Sequence, residues 1–180
     1  MPRRFSLLLG LLTALSLLFC AGCSSEPQTQ EPPAVTGFSC DTDVSYQDMH
    51  VKGKLTRMEE GTLTFALDEP ESLDGLTMKW DGATISFELY GMSFGVDPEA
   101  IPESALGQSI VNALDAVGQT EAAAANAEDG SAVVTGTSVS GEFELAFDPA
   151  SGQLLSLRFP DLGMNATFSN FHTVTSETVE

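Results

Sequence analysis

The stretch "GTLTFALDEPESLDGLTMKWDGATISFELYG" (residues 61–91) holds the clearest fold signal in this chain of 180 residues. Apolar side chains alternate with polar ones in three short runs, which is the period of a β-strand with one buried face. The pair Asp81-Gly82 separates the second run from the third, and such a pair is typical of a tight hairpin turn. The stretch therefore predicts three consecutive antiparallel strands. Their inward side chains are Leu63, Phe65 and Leu67, then Leu76, Met78 and Trp80, then Ile85, Phe87 and Leu89.

The same alternation continues on both sides of this stretch. Glycine, proline and aspartate occur between the runs, which indicates short turns. We therefore predict about ten strands, joined mostly as an antiparallel meander. The remaining runs lie at residues 38–46, 49–56 and 92–96, and, after an interruption, at 133–137, 143–147, 155–159 and 164–168.

Residues 97–130 interrupt the strand pattern and contain the helical signal. Asp97-Pro98 and Pro102 are typical of a helix start. The segment "GQTEAAAANAEDG" (118–130) has low complexity, and we interpret it as a loop or a fraying helix end. The pattern predicts one main helix, whose apolar face consists of Leu106, Ile110, Ala113, Leu114 and Val117.

One helix is small beside such a sheet. Ten strands with ~4.8 Å spacing and ~20 Å length present a face of roughly 950 Å². A helix of about 15 residues covers about a quarter of that area. Either the sheet curls until its ends cover each other, or another molecule occupies the concavity. We predict an α+β fold: a strongly curved antiparallel sheet of about ten strands, an incomplete barrel, with the helix in its concave face.

The N-terminus resembles the signal sequence of a bacterial lipoprotein. Two arginines precede an apolar run at residues 5–19, which is shorter than the roughly 20 residues of a membrane-spanning helix. The small pair Ala21-Gly22 directly precedes Cys23, as in the lipobox, where that cysteine is acylated. Cys20 lacks a small residue before it and fits this motif poorly. We therefore predict a signal peptide at 1–22 and lipid attachment at Cys23, with an ordinary secretory signal as the alternative.

The remaining chain divides into a tether and one domain. Residues 23–37 include the proline-rich polar run "SSEPQTQEPPAVTG" and predict a flexible tether, followed by a domain at 38–176. Removing residues 1–22 takes away two arginines and no acidic residue, so the formal charge moves from −19 to −21. Such a surface disfavours nucleic acid as a partner. We expect a protein on the extracytoplasmic side of the cell membrane, attached through its lipid anchor.

No motif indicates catalysis, a metal or a cofactor. Cys40 falls on the apolar side of a strand run and is interpreted as a core residue. His50 and His172 have no ligand-spaced partner. The acidic segment at 68–75 does not match a calcium loop and is interpreted as a solvated hairpin. We therefore predict a protein that is not an enzyme and requires no cofactor.

Residues 61–91 also resemble the core of the LolA/LolB-like lipoprotein-carrier superfamily. In that family a strand with an aromatic residue leads into a proline loop, a second strand, an Asp-Gly turn and an aromatic strand. The matching features here are Phe65, Pro70, Leu76–Trp80, Asp81-Gly82 and Ile85–Tyr90. The resemblance spans about residues 38–171 and implies an incomplete barrel with helical material in its concave face. The chain departs from the family in having no N-terminal helix before the first strand.

Two functions fit these observations. In the first, the concave face binds an apolar ligand, either a lipid or an acyl chain. In the second, the domain is a tethered module that positions or stabilises an envelope or cell-wall protein. The candidate residues lining the ligand cavity are Phe65, Trp80, Phe87, Phe94, Phe143, Phe147 and Phe159.

Overall fold

In the computed structural model, which describes residues 35–119, 124–127 and 129–175, the alternating runs form one open antiparallel sheet. Its eleven strands and one α-helix, counted over these residues, confirm the predicted fold class. The sequence pattern predicts ten of these strands. The additional strand is β7, which has two residues and is too short to show alternation. The strands are β1 Phe38–Tyr46, β2 Met49–Arg57, β3 Leu63–Glu69, β4 Thr77–Trp80, β5 Ile85–Leu89, β6 Met92–Val96, β7 Ala125–Asn126, β8 Ala132–Ser138, β9 Gly141–Phe147, β10 Leu154–Phe159 and β11 Met164–Thr173; helix α1 is Leu106–Gln119.

The strand order is β6-β5-β4-β3-β2-β1-β11-β10-β9-β8-β7. Two meanders therefore meet where β1 pairs with β11, with Val44 opposite Ala166. Strands β6 and β7 occupy opposite edges and do not pair with each other, so the sheet stays open. The segment that contains α1 connects these two edges, and this connection places the helix across one face of the sheet.

We call the face that α1 covers the inner face. Residues directly opposite each other on neighbouring antiparallel strands point to the same side of a sheet. One such row crosses six strands on the inner face, and its first three members are fully buried. The row consists of Cys40, Leu55, Phe65, Met78, Phe87 and Phe94.

The hairpin between β4 and β5 has the predicted turn. Gly82 has φ of +88°, which favours glycine. The Asp81 side chain accepts hydrogen bonds from the backbone N–H groups of Ala83 and Thr84, at 2.9 and 2.8 Å. These bonds stabilise the ionised carboxylate and hold the pKa of Asp81 below its ordinary value. The role of Asp81 is therefore to fix the turn.

Helix α1 packs its apolar face against the sheet. Ile110, Ala113, Leu114 and Val117 are buried as predicted, whereas Leu106 is half-buried. Polar contacts fix the start of the helix: the Tyr46 hydroxyl donates to the Ser104 carbonyl oxygen at 2.9 Å. This bond fixes the start of the helix beside the end of β1, and the helix packs against β8.

An ion pair between a buried guanidinium and a half-exposed carboxylate joins the helix to the sheet. Arg57, at the end of β2, lies on the inner face and is only 4% exposed. Its Nη2 donates to a carboxylate oxygen of Asp115 on α1. The other guanidinium nitrogens, Nε and Nη1, are buried without a hydrogen-bond partner among the described residues. Asp115 is thus the acceptor that compensates this buried cation.

The thiol of Cys40 belongs to the core, as predicted. Its side chain is fully buried, and its Sγ lies 3.6 Å from Thr42 Oγ1. Burial raises the pKa of Cys40 to about 11, because the thiolate would lose its hydration. The group is therefore protonated at neutral pH and inert as a nucleophile.

Several predictions concern residues outside the described part of the chain. They are the signal peptide at 1–22, lipid attachment at Cys23, the tether up to residue 34 and the end of the domain at residue 176. At the other end of the tether, Val35 is buried against the core. No helix among the described residues is long and apolar enough to cross a membrane.

Candidate functional site

The inner face contains an apolar cavity of about 280 Å³. It lies between strands β2 to β5 and the chain that leads into the first turn of α1. None of the lining side chains is charged, and Gln108 is the only amide among them. The lining residues are Met49, Val51, Leu67, Leu73, Leu76, Met78, Trp80, Ile85, Phe87, Ile101, Pro102, Ala105, Leu106, Gly107 and Gln108.

Glycine at position 107 sets the distance between helix and sheet at this cavity. A Cβ atom on Gly107 would lie 2.1 Å from Cζ2 and 2.2 Å from Cη2 of Trp80. Because glycine has no Cβ, the first helical turn lies directly against the indole ring. Trp80 and Gly107 therefore line the cavity at the point where helix and sheet touch.

The cavity continues towards an uncovered edge of the sheet. Along the inner-face row, Phe65 is fully buried, Phe87 is half-buried, and Phe94 on β6 is 60% exposed. The rings of Phe87 and Phe94 stack with 5.2 Å between their centroids. Tyr90 and Met92 beside them are also exposed. The cavity thus opens beside an apolar surface that no described residue covers.

Two of the residues that line this cavity, Trp80 and Gln108, each have a buried polar atom without a hydrogen-bond partner among the described residues. Trp80 is 7% exposed, and its indole Nε1 has no hydrogen-bond partner among the described residues. The same holds for Oε1 of Gln108, whose Nε2 donates to Asn112 at 3.1 Å. Neither atom is accessible, so the surface that the cavity presents is almost entirely apolar.

The seven aromatic residues predicted to line a cavity are divided by the structure into three groups. Trp80 and Phe87 line the cavity described here. Phe94 lies outside it, exposed and stacked on Phe87. The other four are buried in the core, where two of them contact each other with 5.8 Å between ring centroids. These four are Phe65, Phe143, Phe147 and Phe159.

Sequence reasoning did not name most of the lining residues. Leu76, Met78 and Ile85 share the predicted inward face with Trp80, so the alternation contained a signal for them. Ile101, Pro102 and Ala105 lie in the connection before α1, where no periodic pattern marks which side chains turn inward. The site depends on where this connection crosses the sheet.

The ionisable groups form structural contacts elsewhere. His50 Nε2 lies 2.5 Å from a carboxylate oxygen of Asp43, and Glu144 pairs with Arg158 at 3.1 Å. Hydrogen bonds lower the pKa of four aspartates, none of which lines the cavity; they are Asp41, Asp81, Asp129 and Asp148. Within the described ranges, no three His, Cys, Asp or Glu side chains are grouped as metal ligands. The cavity therefore provides apolar contact without a charged group.

Comparison with known proteins supports the fold. No protein-family model and no curated protein matches the chain. Among solved structures, an uncharacterized conserved protein from Thermus thermophilus matches with a TM-score of 0.51 and 11% identity, over 78% of this chain and 80% of that one. This similarity indicates a shared architecture and does not transfer a function.

Two further structures are similar at lower scores. A LolA superfamily protein from Nitrosomonas europaea has a TM-score of 0.40 and 7% identity, over 80% of this chain and 88% of that one. A DUF1329 family protein from Desulfovibrio piger has a TM-score of 0.46 and 9% identity, over 81% of this chain and 88% of that one. Membership of the LolA/LolB-like superfamily therefore stays a prediction from the sequence pattern.

Proposed function

We propose that this protein is an extracytoplasmic lipoprotein that is anchored through Cys23 and binds an apolar ligand, a lipid or an acyl chain, without catalysing a reaction. The observation that supports the proposal is the cavity of about 280 Å³ with uncharged lining. A soluble domain gains stability by filling such a space with its own side chains. An apolar space that stays open and reaches solvent fits a ligand better than a purely structural role.

The dimensions favour a single chain as the ligand. Ligand cavities commonly measure about 300–1,000 Å³, so this cavity lies at the lower limit. Transfer of an acyl chain from water contributes about 0.8 kcal/mol per buried methylene. Beyond the cavity, the exposed side chains of Met92 and Phe94 extend the apolar surface along the same face. A chain longer than the cavity would continue over this surface.

We expect 1-decanol or a lysophospholipid to bind at this cavity. Trp80 is the only tryptophan of the chain, so its emission reports on the cavity directly. The assay uses the mature chain with Cys23→Ala, which carries no acyl chain of its own. Binding should shift the emission of Trp80 and raise the melting temperature, by the equivalent of ~2.7 kcal/mol at a hundredfold excess over Kd.

A pair of charged substitutions provides the control. Phe87→Glu places a carboxylate in the cavity wall and should abolish the emission shift. Leu155→Glu adds the same charge at a position that is 40% exposed and does not line the cavity, and it should leave binding intact. If neither ligand shifts the emission or the melting temperature, the ligand-binding proposal is wrong.

A second candidate function is supported by the β6 edge. Tyr90, Met92 and Phe94 are 80%, 66% and 60% exposed, and β6 has a strand neighbour on one side only. An edge strand with apolar side chains is a surface to which another protein can add a strand. In this case the tethered domain would position an envelope or cell-wall protein, and mutation of Met92 or Phe94 would weaken that complex.

Membrane attachment is tested separately. Because acylation requires a cysteine thiol, Cys23→Ala should abolish incorporation of a radiolabelled or alkynyl fatty acid during growth of the producing cells. Cys20→Ala should retain the label, since Cys20 does not follow a small residue pair. Loss of the label in Cys20→Ala alone would show that the proposed attachment site is wrong.

A further inference from the structure

We propose that the domain pairs with a second copy of itself through the open edge of β6, in an antiparallel arrangement centred on Phe94. This inference concerns assembly and does not depend on the proposed ligand. It follows from three properties of β6: its side chains are exposed, its free backbone groups match those of a second copy, and it carries no charged residue.

Exposed apolar side chains are concentrated at the β6 edge. Tyr90, Met92 and Phe94 lie within five residues of each other. The other exposed large apolar side chains of the described residues lie in separate elements; they are Met49, Val139 and Leu155. Tyr90 occupies the turn before β6 with φ of +50°, where asparagine or glycine is usual. Its side chain makes little contact within the domain and is available to a second molecule.

The free backbone groups of β6 follow from its pairing with β5. The turn between the two strands has two residues, both with positive φ, so the flanking residues Leu89 and Met92 bond to each other. Bonded and non-bonded pairs then alternate along the antiparallel ladder. Every second residue of β6 from Met92 onwards therefore directs its N–H and C=O groups to β5, whereas Ser93 and Gly95 direct theirs to the open edge.

A second copy of β6 presents the same groups in the reverse order. Antiparallel pairing centred on Phe94 places Ser93 opposite Gly95 of the second copy, and the reverse, so each of these positions exchanges two hydrogen bonds. Phe94 then faces Phe94 of the second copy at a non-hydrogen-bonded position, where side chains lie closest. The stacked rings of Phe87 and Phe94 would thus continue across the pair and extend the apolar surface beside each cavity.

Local charge does not oppose this pairing. Edge strands are usually protected by a charged residue or a proline, and residues 92–96 contain neither. The two copies repel each other through their net negative charge, but salt screens charges that lie more than about 8 Å apart at physiological ionic strength. Added NaCl should therefore strengthen the dimer. An association through ion pairs would weaken instead, and that result would contradict the proposed contact.

The contact area fits a weak dimer. With about 200 Å² for a complete side chain, the exposed parts of Tyr90, Met92 and Phe94 come to roughly 400 Å² per copy. The backbone of β6 adds to this area, and the total for both copies approaches ~1,000 Å², the lower limit for a specific interface. We expect a Kd of roughly 1–100 μM in solution. The proposed lipid anchors would raise the effective concentration of two copies on one membrane.

Disulfide cross-linking tests the register in the mature chain with Cys23→Ala, whose remaining thiol, Cys40, is buried. Phe94→Cys places two thiols opposite each other, with Cα atoms about 4.5 Å apart, which is within disulfide range. Met92→Cys would face Val96 of the second copy, so its two thiols lie more than about 13 Å apart. With diamide as the oxidant, Phe94→Cys should form covalent dimers and Met92→Cys should not. Equal cross-linking of both variants, or none in Phe94→Cys, would overturn the proposed pairing.

Sedimentation equilibrium of the same Cys23→Ala chain measures the affinity. Phe94→Lys places like charges opposite each other and should weaken the dimer by more than about tenfold. Val139→Lys adds the same charge at an exposed apolar position between β8 and β9 and should leave the affinity unchanged. Ser93→Pro removes an N–H that only the second copy would use, so it should abolish the dimer while the melting temperature confirms a folded chain. If the parent chain stays monomeric, or if Phe94→Lys dimerises equally well, the proposal is wrong and the edge is left to a different protein.

Discussion

Gly53→Ala should destabilise the domain by more than about 3 kcal/mol, which is a large part of the stability of an ordinary domain. Gly53 is buried in β2, where the pairing with β3 shifts register. A Cβ atom there would lie 2.0 Å from the carbonyl oxygen of Ala66 and 2.9 Å from Cα of Leu67. These are backbone atoms of a paired strand, so relief requires separation of β2 from β3. Urea denaturation monitored by Trp80 emission measures the effect.

Gly95→Ala is the matched control for this substitution. Gly95 also lies in a strand, β6, but a Cβ atom there would meet only the terminal Cγ2 of Thr84, at 3.0 Å. That side chain can rotate, and alanine restricts the unfolded chain more than glycine does. We expect a change below about 1 kcal/mol. Similar stabilities for the two variants would show that the approach of β2 to β3 is not as close as described.

Asp115→Ala should cost about 1–3 kcal/mol, because it leaves the buried guanidinium of Arg57 without its acceptor, while the half-exposed position of Asp115 lets water replace part of that contact. Arg57→Met should cost much less, since it removes the charge together with its need for a partner. In the double variant, loss of Asp115 should add little to the effect of Arg57→Met. A double-mutant cycle by chemical denaturation measures this coupling.

The pair Arg158–Glu144 shows what an exposed ion pair contributes. Its side chains are 57% and 44% exposed, whereas in the pair Arg57–Asp115 the guanidinium is 5% and the carboxylate 45% exposed, so the two pairs differ in the burial of the arginine. Solvent screens such a pair, so Glu144→Ala should cost less than about 1 kcal/mol. If Asp115→Ala costs no more than Glu144→Ala and shows no coupling to Arg57, burial of the guanidinium does not make its acceptor important for stability.

The fold could be predicted because most strands alternate visibly. A period of two fixes which side chains share a face, and short turns fix which strands are neighbours. The same pattern does not reveal whether a face is covered. Met92 and Phe94 alternate as regularly as Leu63 and Phe65, yet the first pair is exposed and the second is buried. Coverage depends on the path of α1, which local sequence does not specify.

The candidate site was less predictable for the same reason. Trp80 and Phe147 are both aromatic residues on inward strand faces, but only Trp80 lines the cavity. Arg57 lies where a charged residue is not expected, because its partner Asp115 is 58 residues away in the sequence. The orientation of the Gln108 side chain depends on its hydrogen bond to Asn112. Such residues acquire their roles from tertiary contacts.

The pairing of β1 with β11 has a consequence for how the chain reaches its native state. These two strands form the middle of the sheet, and residues brought together there are far apart in sequence: Asn170 donates a hydrogen bond to Asp41, 129 residues earlier. Contacts at such separation are entropically costly to close and slow to form. The two meanders are local and can assemble first, but they join only after β11 has been synthesised. Until then the edge of β1 that later pairs with β11, together with the inner-face side chains, remains available for wrong pairing, so slow synthesis or a stalled chain should favour aggregation over folding.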